Sequence, residues 1–378
     1  CNARPYLMKI SKIFLNDFRN FAALDLKLSD TINIFLGRNA QGKTNILESI
    51  NFASLGTARV SKDTELVRWT QDAALIKISF SKADVSHDLA IEIPADKRRR
   101  RILFDGNFIK LRDFVGKLNS VMFSPEDLFM FRNSPITRRK FLNIILAQAT
   151  PIYFSELTTY NRLIEQRNNL LKKIRENLAS PSNLELWNEQ LSDAAARITA
   201  KRITAVENLK ILANDMQQEI SSKAENLSLE YEIHDLQNVD APQNFSVEYL
   251  QKWYNEIFSA RNFIDIKRGS TSFGPHLDDL NFFINGKELR LYGSQGQLRT
   301  TALALKLSEI QMLKNSSGEY PILLLDDVMS ELDAERRAKL LDFLLNQKIQ
   351  TLITATEKAY FPAQISGKIF HVENGTIL

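Results

Sequence analysis

The stretch that most constrains this chain is residues 37–44, which read GRNAQGKT and form a complete G-x-x-x-x-G-K-T phosphate loop. The loop follows the apolar run 32–36 and precedes a helix-like stretch, which is the strand–loop–helix context that it requires. Its glycines let backbone N–H groups face an anion, and the start of the helix adds partial positive charge. We expect Lys43 to reach the β- and γ-phosphates and the Thr44 hydroxyl to ligate Mg²⁺. The pattern predicts a nucleoside triphosphate site formed by Gly37, Arg38, Asn39, Ala40, Gln41, Gly42, Lys43, Thr44 and Asn45.

The composition of the chain restricts its number of domains, its partners and its cellular location only broadly. The 378 residues suffice for two or three domain-sized units, and the apolar fraction of 44% suffices for a sizeable core. A net charge of +4 does not by itself establish a nucleic-acid partner. The one cysteine, Cys1, lies in residues 1–7, which precede Met8 and look like an N-terminal extension or tag. We expect a cytoplasmic protein, since cysteines are otherwise absent and no apolar run approaches the roughly 18 residues of a membrane span.

Residues 8–134 are predicted to form a first lobe made mostly of strands. Alternating apolar and polar residues mark 9–16, 24–28, 76–80 and 89–93. The dipeptide Asp105-Gly106 separates two short apolar runs and is a strong signal for a hairpin turn. One helix, directly after the phosphate loop, interrupts these strands.

Residues 135–261 are predicted to form a helical insertion. Apolar residues recur at helical spacing over 151–178 and again from Leu184 to about Ser221, with a break at 180–183. The two segments predict an antiparallel helical hairpin with helices of about 40 Å each. The pattern leaves open whether the hairpin is a plain helical subdomain or a projecting coiled-coil arm.

Residues 262–378 alternate between strands and helices. Strands are predicted over 279–284, 288–291, 322–325 and 350–354, and helices over 297–313 and 336–346. The run 322–325 is continuously apolar, as in a strand buried on both faces of a parallel sheet. The fold class is therefore predicted to be α/β, with the phosphate loop before the insertion and a second β/α half after it.

A second motif ends this buried strand, where Asp326 and Asp327 follow one another. The carboxyl ends of strands are where ligands bind in open α/β sheets. We expect Asp326 to complete a Mg²⁺ site beside Thr44, and Asp327 to orient or deprotonate the attacking water. The predicted catalytic residues are thus Lys43, Asp326 and Asp327. A surface turn after a core strand is the alternative interpretation of the two acids.

A third motif, Ser294-Gln295-Gly296-Gln297, precedes a predicted helix that Ser294 can cap. A simple capped helix is one interpretation, but the motif also resembles the signature loop of ABC-type ATPases. In that family the signature closes on the γ-phosphate held by a second subunit, which implies that residues 294–297 bind nucleotide across a dimer. Residues 330–333 resemble the family's D-loop, which implies that Ser330 and Asp333 join Ser294 at the dimer interface.

Six blocks together resemble the RecF family of recombination-mediator ATPases, which is related to SMC heads, over about residues 8–378. They read DFRNF at 17–21, FSPEDL at 123–128, RRKFL at 138–142, GPHLDDL at 274–280, SQGQLR at 294–299 and LDDV at 325–328. The resemblance implies a two-lobed ABC-type ATPase head with an inserted helical hairpin. It also implies an ATP-driven homodimer that clamps duplex DNA or gap junctions and hydrolyses ATP weakly, with stimulation by DNA. The implied protein partners are RecR directly, and RecO and RecA indirectly, in the loading of RecA.

This chain departs from the family pattern at three places. Leu277 stands where the family usually has an arginine, residues 133–135 replace a block that usually carries a glycine, and residues 354–356 lack the switch histidine of many ABC ATPases. RecF-like proteins generally lack that histidine, so its absence argues against a transporter subunit. Asp327 is shorter than the glutamate that is common in ABC ATPases, so we expect slow turnover.

The candidate DNA contact is the run Lys97, Arg98, Arg99, Arg100 and Arg101. Consecutive cations can neutralise several phosphates without reading sequence. The alternative is a solvated hairpin edge whose charges discourage edge pairing, and the family resemblance favours DNA contact. The basic residues 138–140 are a weaker candidate, because they open a helix and can instead pair with acids or contact nucleotide. His276 lies in one of the family blocks. The sequence leaves open whether this histidine lies near the nucleotide or near the dimer interface.

Other functional classes make different demands. A small-molecule P-loop kinase needs an acceptor pocket and a lid, and has no use for residues 294–297. A transporter ATPase lacks so long a helical insertion. An SMC-like structural head needs much longer helices for its coiled-coil arms.

Overall fold

The computed structural model describes residues 7–57, 62–96, 98–361 and 367–378. The chain forms two compact units. The first comprises the chain through Phe129 together with Leu212–Asn226 and Ser294–Leu378, and the second comprises Met130–Ile211 and Leu227–Gly293. The predicted segment 262–378 is therefore divided, since residues 262–293 group with the helical segment. Of the predicted N-terminal extension, Leu7 forms a parallel bridge with Tyr320, and residues 1–6 lie outside the described residues.

Strands and helices follow one another along both units. The strands are β1 (Lys9–Phe18), β2 (Phe21–Lys27), β3 (Ile32–Leu36), β4 (Ala73–Lys82), β5 (Val85–Pro94), β6 (Arg101–Phe104), β7 (Asn107–Phe108), β8 (Ser120–Phe123), β9 (Leu227–Glu232), β10 (Asp279–Ile284), β11 (Lys287–Glu288), β12 (Ile322–Asp326), β13 (Thr351–Ala355), β14 (Gly367–Glu373) and β15 (Thr376–Ile377). The α-helices are α1 (Lys43–Leu55), α2 (Leu111–Phe114), α3 (Pro135–Ala149), α4 (Pro151–Arg175), α5 (Leu184–Ile220), α6 (Val247–Ala260), α7 (Asn262–Arg268), α8 (Leu289–Tyr292), α9 (Gln295–Ser317), α10 (Val328–Glu331) and α11 (Ala334–Gln347). Short 3-10 turns cover Asp63–Leu66, Pro125–Phe129, Pro181–Asn183, Leu236–Asn238 and Lys358–Tyr360.

The sheet that carries the phosphate loop belongs to the first unit and has the order β15-β14-β3-β13-β12-β8. The strands from β14 to β8 run parallel, and β15 pairs antiparallel with β14. Every residue of β3, β12 and β13 is buried, which explains why continuous apolar runs mark these strands in the sequence. The predicted α/β layout is confirmed, and it places the carboxyl ends of β3 and β12 at one edge of the sheet.

A second sheet in the same unit is antiparallel and has the order β2-β1-β4-β5-β6-β7. Its strands bury alternate residues, as Ile76, Ile78 and Phe80 of β4 illustrate. Asp105 and Gly106 have φ values of 49° and 78°, which a two-residue hairpin turn with two left-handed positions requires. The turn predicted from this dipeptide is therefore confirmed.

In the second unit, α4 and residues 184–211 of α5 form the predicted antiparallel pair. Arg167 of α4 contacts Asn188 of α5, and Glu156 contacts Lys201, so the residue numbers fall along one helix as they rise along the other. α5 has 37 residues and spans about 55 Å at 1.5 Å per residue. The predicted bounds, Leu184 to about Ser221, are confirmed, but the expected length of about 40 Å is too short, because 37 residues at this rise span more.

Two details of this unit differ from expectation. The insertion is not wholly helical, because β9 pairs antiparallel with β10 in a three-stranded sheet that β11 completes. The strand expected over 288–291 ends at Glu288, and α8 begins at Leu289. Between β10 and β11, Asn285 and Gly286 form the expected turn, with φ values of 50° and 77°.

The core of the second unit contains a buried ion pair. Arg167 is fully buried, and its guanidinium donates to Asp265 Oδ2 at 2.7 Å and to Thr271 Oγ1 at 2.8 Å. It also donates to Asn188 Oδ1 at 3.0 Å. The other oxygen of Asp265 accepts from the backbone N–H and the hydroxyl of Ser272. One charged group that water does not reach thereby joins α4, α5 and α7.

Removing one partner of this pair should destabilise the second unit strongly. Arg167→Met keeps most of the side-chain volume but leaves the Asp265 carboxylate buried without its cation, which typically costs about 3–5 kcal/mol. Arg197→Met breaks the exposed pair of Arg197 with Asp193 and should cost only about 0.3–0.5 kcal/mol. The free energy of unfolding in urea, followed by tryptophan fluorescence, measures both losses. Equal losses in the two variants would contradict the role assigned to the buried pair.

Candidate nucleotide site

The phosphate loop lies between β3 and α1, and its two glycines are required by packing. Gly42 has a left-handed backbone with φ 110°, and a Cβ there would lie 2.6 Å from Asn20 Nδ2. A Cβ at Gly37 would lie 2.4 Å from the carbonyl oxygen of Val372. Ala40 has a left-handed backbone too, with φ 65°. The curved conformation of the loop is therefore set by its left-handed backbone positions and by close contacts with neighbouring residues of the protein.

Lys43 is the first residue of α1, and its side chain folds back over the loop. The ammonium group donates to the carbonyl oxygens of Gly37 at 2.6 Å and Arg38 at 2.8 Å. Burial lowers the pKa of Lys43, and the nearby carboxylates of Asp327 and Asp326 oppose that shift. The loop thus holds a partly desolvated cation against its own backbone, where a phosphate group can take the place of the carbonyl oxygens.

Asp326 ends β12 beside the phosphate loop. Its Oδ1 accepts hydrogen bonds from the hydroxyl of Thr44 at 2.8 Å and from the hydroxyl of Thr354 at 2.9 Å. The Thr354 oxygen accepts in turn from the backbone N–H of Asp327 at 2.8 Å. The structure therefore brings Thr44 and Asp326 together. Thr354 is missing from the sequence-based prediction, because only the pairing of β12 with β13 places it opposite Asp326.

The pair of Thr44 and Asp326 fits a Mg²⁺ ion. A hydroxyl and a carboxylate are hard oxygen donors, and Mg²⁺ in nucleotide sites takes one or two such ligands together with waters and phosphates. The described residues contain no cluster of three or more His, Cys, Asp or Glu that could hold a metal by themselves. These two residues therefore suit a metal ion that is bound jointly with a triphosphate.

Asp327 has a left-handed backbone with φ 52°. Its Oδ1 is buried, and the described part of the chain offers this oxygen no hydrogen-bond partner. Burial raises the pKa of Asp327, Lys43 opposes the shift, and Asp326 adds to it. A carboxylate oxygen with this environment can accept a hydrogen bond or a proton from water, as a general base must.

The signature-like loop begins α9. The Ser294 hydroxyl accepts from the backbone N–H of Gln297 at 3.2 Å, and the Gln297 side chain accepts from the Ser294 N–H at 3.0 Å, which is a capping box. Ser294 and Gln295 are exposed. A Cβ at Gly296 would meet no described atom closer than 3.7 Å, and its backbone is not left-handed. Packing within the described chain therefore does not require a glycine at this position.

The D-loop-like residues follow Asp327 directly. The hydroxyl of the exposed Ser330 donates to the carbonyl oxygen of Asp327 at 2.8 Å. Asp333 caps α11 by accepting from the backbone N–H of Arg336 at 2.9 Å, and the same two residues form an ion pair. Arg336 also donates to the Thr300 hydroxyl at 2.9 Å. The start of α11 is thereby tied to the second turn of α9.

Two braces of the phosphate loop are missing from the sequence-based prediction. Asn20, in the tight turn between β1 and β2, donates to the Gln41 carbonyl at 3.0 Å and accepts from the Asn45 side chain at 2.8 Å. The backbone N–H of Gly375, in the turn between β14 and β15, donates to the same carbonyl at 3.0 Å. The dipeptide Asn374-Gly375 is a recognisable turn signal, but its position beside the loop follows from the order of the strands.

The basic run of the first unit is mostly engaged in ion pairs, and Lys97 lies outside the described residues. The pairs are Arg98 with Asp96 at 2.8 Å, Arg100 with Asp63 at 3.0 Å, and Arg101 with Glu92 at 3.4 Å. Burial lowers the pKa of Arg100. Arg99 is exposed, and it has no ion pair within the described ranges. The run is therefore not a row of free cations, and its contact with DNA stays a prediction.

The basic residues at 138–140 have structural partners in the second unit. Arg138 is buried and forms a two-point ion pair with Asp279, at 2.8 Å and 2.7 Å. Arg139 donates to the carbonyl oxygen of Asp278 at 2.6 Å, and Lys140 is exposed. The sequence left open whether these residues contact DNA, contact nucleotide or pair with acids, and in the structure Arg138 pairs with an acid.

His276 packs within the second unit. Its Nδ1 lies 2.6 Å from the Tyr160 hydroxyl, and its Nε2 lies 3.3 Å from the Thr271 carbonyl oxygen. Burial lowers the pKa of His276 to about 4, so the ring is neutral at physiological pH. The neighbouring Leu277, where the family usually has an arginine, is partly buried. This histidine therefore serves the packing of its unit.

Comparison with known proteins gives consistent results. A family model described as the RecF/RecN/SMC N-terminal domain matches residues 9–377. Proteins named DNA replication and repair protein RecF are 40% identical in Halothermothrix orenii and 39% identical in Bacillus cereus. Each alignment covers 98% of this chain and 98% of the relative.

Solved structures agree. One of the recombination mediator RecF with ATP, in the RecFOR pathway, is 33% identical, has a TM-score of 0.91 and covers 100% of this chain and 99% of its own. The Smc head domain of Pyrococcus furiosus bound to part of ScpA is 15% identical, with a TM-score of 0.54 and coverage of 98% and 95%. The predicted ABC-type ATPase head fold is thereby confirmed. Among the helices of the described residues, none has the length and apolar character that crossing a bilayer demands.

The raised pKa of Asp327 predicts a stability cost at neutral pH. The folded protein binds this proton more tightly than the unfolded chain, so stability falls as the pH rises from about 3.8 to the raised folded value and stays low above it. Asp327→Asn removes the desolvated charge. It should raise the midpoint of thermal unfolding near pH 7, and the gain should shrink as the pH falls toward 4.

Thermal unfolding of wild type and variant across this pH range measures the effect. Asp25→Asn is the matched control, because Asp25 forms an exposed pair with Lys12. A variant at Asp327 that is less stable than wild type near pH 7 would show that the carboxylate is not a source of strain.

Proposed function

This chain belongs to the RecF family, and from that membership and the geometry of its site we propose that it is an ATP-dependent DNA clamp of recombinational repair. The observation that carries the proposal is the nucleotide site itself. The phosphate loop and the junction of Thr44 with Asp326 lie in the same unit as an exposed, capped signature-like loop. A relative solved with ATP supports this nucleotide.

Two copies of the chain bind two ATP molecules, and each copy completes the site of the other. Residues 37–44 of one copy hold the triphosphate, and residues 294–297 of the other close over its γ-phosphate. Gly296 has room for a side chain within its own chain, so the advantage of glycine lies in letting a foreign phosphate approach the backbone. The N-terminus of α9, a helix of 23 residues, adds N–H groups and partial positive charge at that point. Ser330 and Asp333 contribute to the same interface.

The residues of the site divide the chemical work. Lys43 exchanges the carbonyl oxygens of its loop for the β- and γ-phosphates. Thr44 and Asp326 hold Mg²⁺, which when bound neutralises phosphate charge. Asp327 orients the attacking water, and its short side chain makes turnover slow. ADP lacks the γ-phosphate that residues 294–297 contact, so it binds without closing the pair.

The closed pair holds duplex DNA or the junction between a duplex and a single-stranded gap, in the cytoplasm, and DNA stimulates the weak ATPase. The naming of relatives as replication and repair proteins, and of a solved relative as part of the RecFOR pathway, supports a role beside RecR and RecO in loading RecA. A P-loop kinase, the alternative function, makes no use of an exposed signature-like loop. That alternative predicts a monomer that transfers phosphate to a metabolite.

Sedimentation velocity with ATP, with ADP and without nucleotide tests this function. Wild type should dimerise with ATP, and it should remain monomeric with ADP and without nucleotide. Ser294→Arg should bind ATP and remain monomeric, because the bulky cation blocks the loop that closes on the partner's γ-phosphate. Lys43→Ala should fail to dimerise because it loses ATP binding. Dimerisation of Ser294→Arg at wild-type ATP concentrations would overturn the in-trans arrangement.

A second substitution separates closure from folding. Ser294→Asp retains the cap of α9, since aspartate caps helices about as well as serine, yet it places a negative charge toward the γ-phosphate. It should therefore match wild type in thermal stability and fail to dimerise. Normal dimerisation of Ser294→Asp would also contradict the proposal.

A further inference from the structure

Five exposed cations meet at the ends of two helices of the second unit. Lys172, Lys173 and Arg175 form the last turn of α4, and Lys267 and Arg268 end α7. We name these five residues the α4–α7 basic patch.

Contacts at the helix ends bring the two halves of the patch together. The Arg175 guanidinium donates to the carbonyl oxygen of Arg268 at 3.4 Å, although the two residues are 93 apart in sequence. A Cβ on the next residue, Gly269, would lie 2.9 Å from Arg175 Nη1 and 3.2 Å from Lys172 Cγ. The patch is therefore one surface assembled from separate segments, which a search for basic runs in the sequence does not find.

Among the described residues, the cations of the patch have no carboxylate partners. Within the described ranges, none of the five forms an ion pair, whereas three of the four described arginines at 98–101 do. The stretches 172–176 and 265–269 contain two acids. Asp265 is buried and bound to Arg167, and Glu176 is exposed at the end of α4. Within these two stretches, five exposed cations are accompanied by one exposed carboxylate.

A rigid base lies beneath the patch. Leu171, Ile174 and Leu184 form a buried cluster, and Ile266 of α7 packs against it. The buried pair of Arg167 with Asp265 joins the same helices. Lysine or arginine in the last turn of a helix is stabilised by the partial negative charge at the helix end, and this explains single cations there. It does not explain why two such ends are held in contact, because like charges repel.

We propose that the α4–α7 basic patch binds the phosphate backbone of duplex DNA, an inference that rests on the proposed function. Phosphate contacts require positive charge and no sequence readout, which flexible lysines supply. Three of the five residues are lysines, a residue type that is depleted in protein–protein interfaces. The composition of the patch therefore favours nucleic acid over an acidic protein segment as its ligand.

The test compares two triple variants of the full chain that lose the same charge. Lys172→Gln, Lys173→Gln and Lys267→Gln together remove three charges of the patch and keep helix propensity. Lys12→Gln, Arg112→Gln and Arg197→Gln together remove three surface cations that are already paired with carboxylates and lie outside both the run at 97–101 and the nucleotide site. The affinity for a fluorescent 30-base-pair duplex is measured by anisotropy in the presence of a non-hydrolysable ATP analogue, from about 50 to 200 mM salt.

The patch variant should bind the duplex at least about tenfold more weakly near 150 mM salt, and its slope of log affinity against log salt should fall by about two to three. The control variant should keep most of its affinity and slope. Both variants should dimerise with the analogue as wild type does, because the patch is not part of the nucleotide site.

Other outcomes distinguish failure of the patch inference from failure of the proposed function. If wild type binds duplex and the patch variant binds it equally well with the same slope, the patch inference is wrong and the proposed function stands. A loss in the control variant as large as that in the patch variant would show that total charge, and not this surface, sets the affinity, and it would also refute the inference. Binding of polyglutamate, which mimics an acidic protein segment, is measured with the same variants. If the patch variant loses polyglutamate binding but keeps its duplex binding, the ligand of the patch is an acidic protein. Wild type that dimerises but binds no duplex would refute the proposed function itself, and the patch inference with it.

Discussion

The hydrogen bond from the Thr44 hydroxyl to the Asp326 carboxylate joins residues 282 apart in sequence, and the rest of the nucleotide site is arranged around it. It forms because β3, β13 and β12 are parallel neighbours whose carboxyl ends share one edge of the sheet. Thr354, on the strand between them, donates to the same oxygen. Asp326 and Thr354 are buried, so their polar groups must find partners in the protein, and the same carboxylate oxygen also accepts from the exposed Thr44.

Desolvation gives this site both its cost in stability and its use in chemistry. Burial shifts the pKa of Lys43 downward and that of Asp327 upward, so each charged form is less stable than it is in water. The same low-dielectric surroundings strengthen the interaction of these charges with a phosphate group or a developing anion. If these charges were better solvated, the folded protein would be more stable and the site would be less reactive.

Arginine serves different purposes in different parts of the chain. Arg138, Arg167 and Arg202 are among the largest fully buried side chains, and each donates to several acceptors in the second unit. A basic residue in a sequence motif does not reveal whether a carboxylate meets it in the fold. The run at 98–101 illustrates this, because its concentrated charge is largely neutralised by acids of its own lobe. The α4–α7 basic patch shows the converse, since unpaired cations come together from two distant segments.

The sequence by itself determined the parts of this protein that depend on neighbouring residues. The curved phosphate loop, the buried strand β12, the turn at Asp105 and the cap at Ser294 follow from backbone preferences and short periodicities, which are local properties. The presence of β9 was not determined in this way, because this strand exists only through its pairing with β10.

The tertiary structure alone decided that Thr354 meets Asp326, that Asn20 and Gly375 brace the phosphate loop, and which cations are paired. These outcomes depend on strand order and on contacts between residues that are far apart in the chain. A local pattern carries no information about them, because the free energy of such a contact is set by partners that the pattern does not contain.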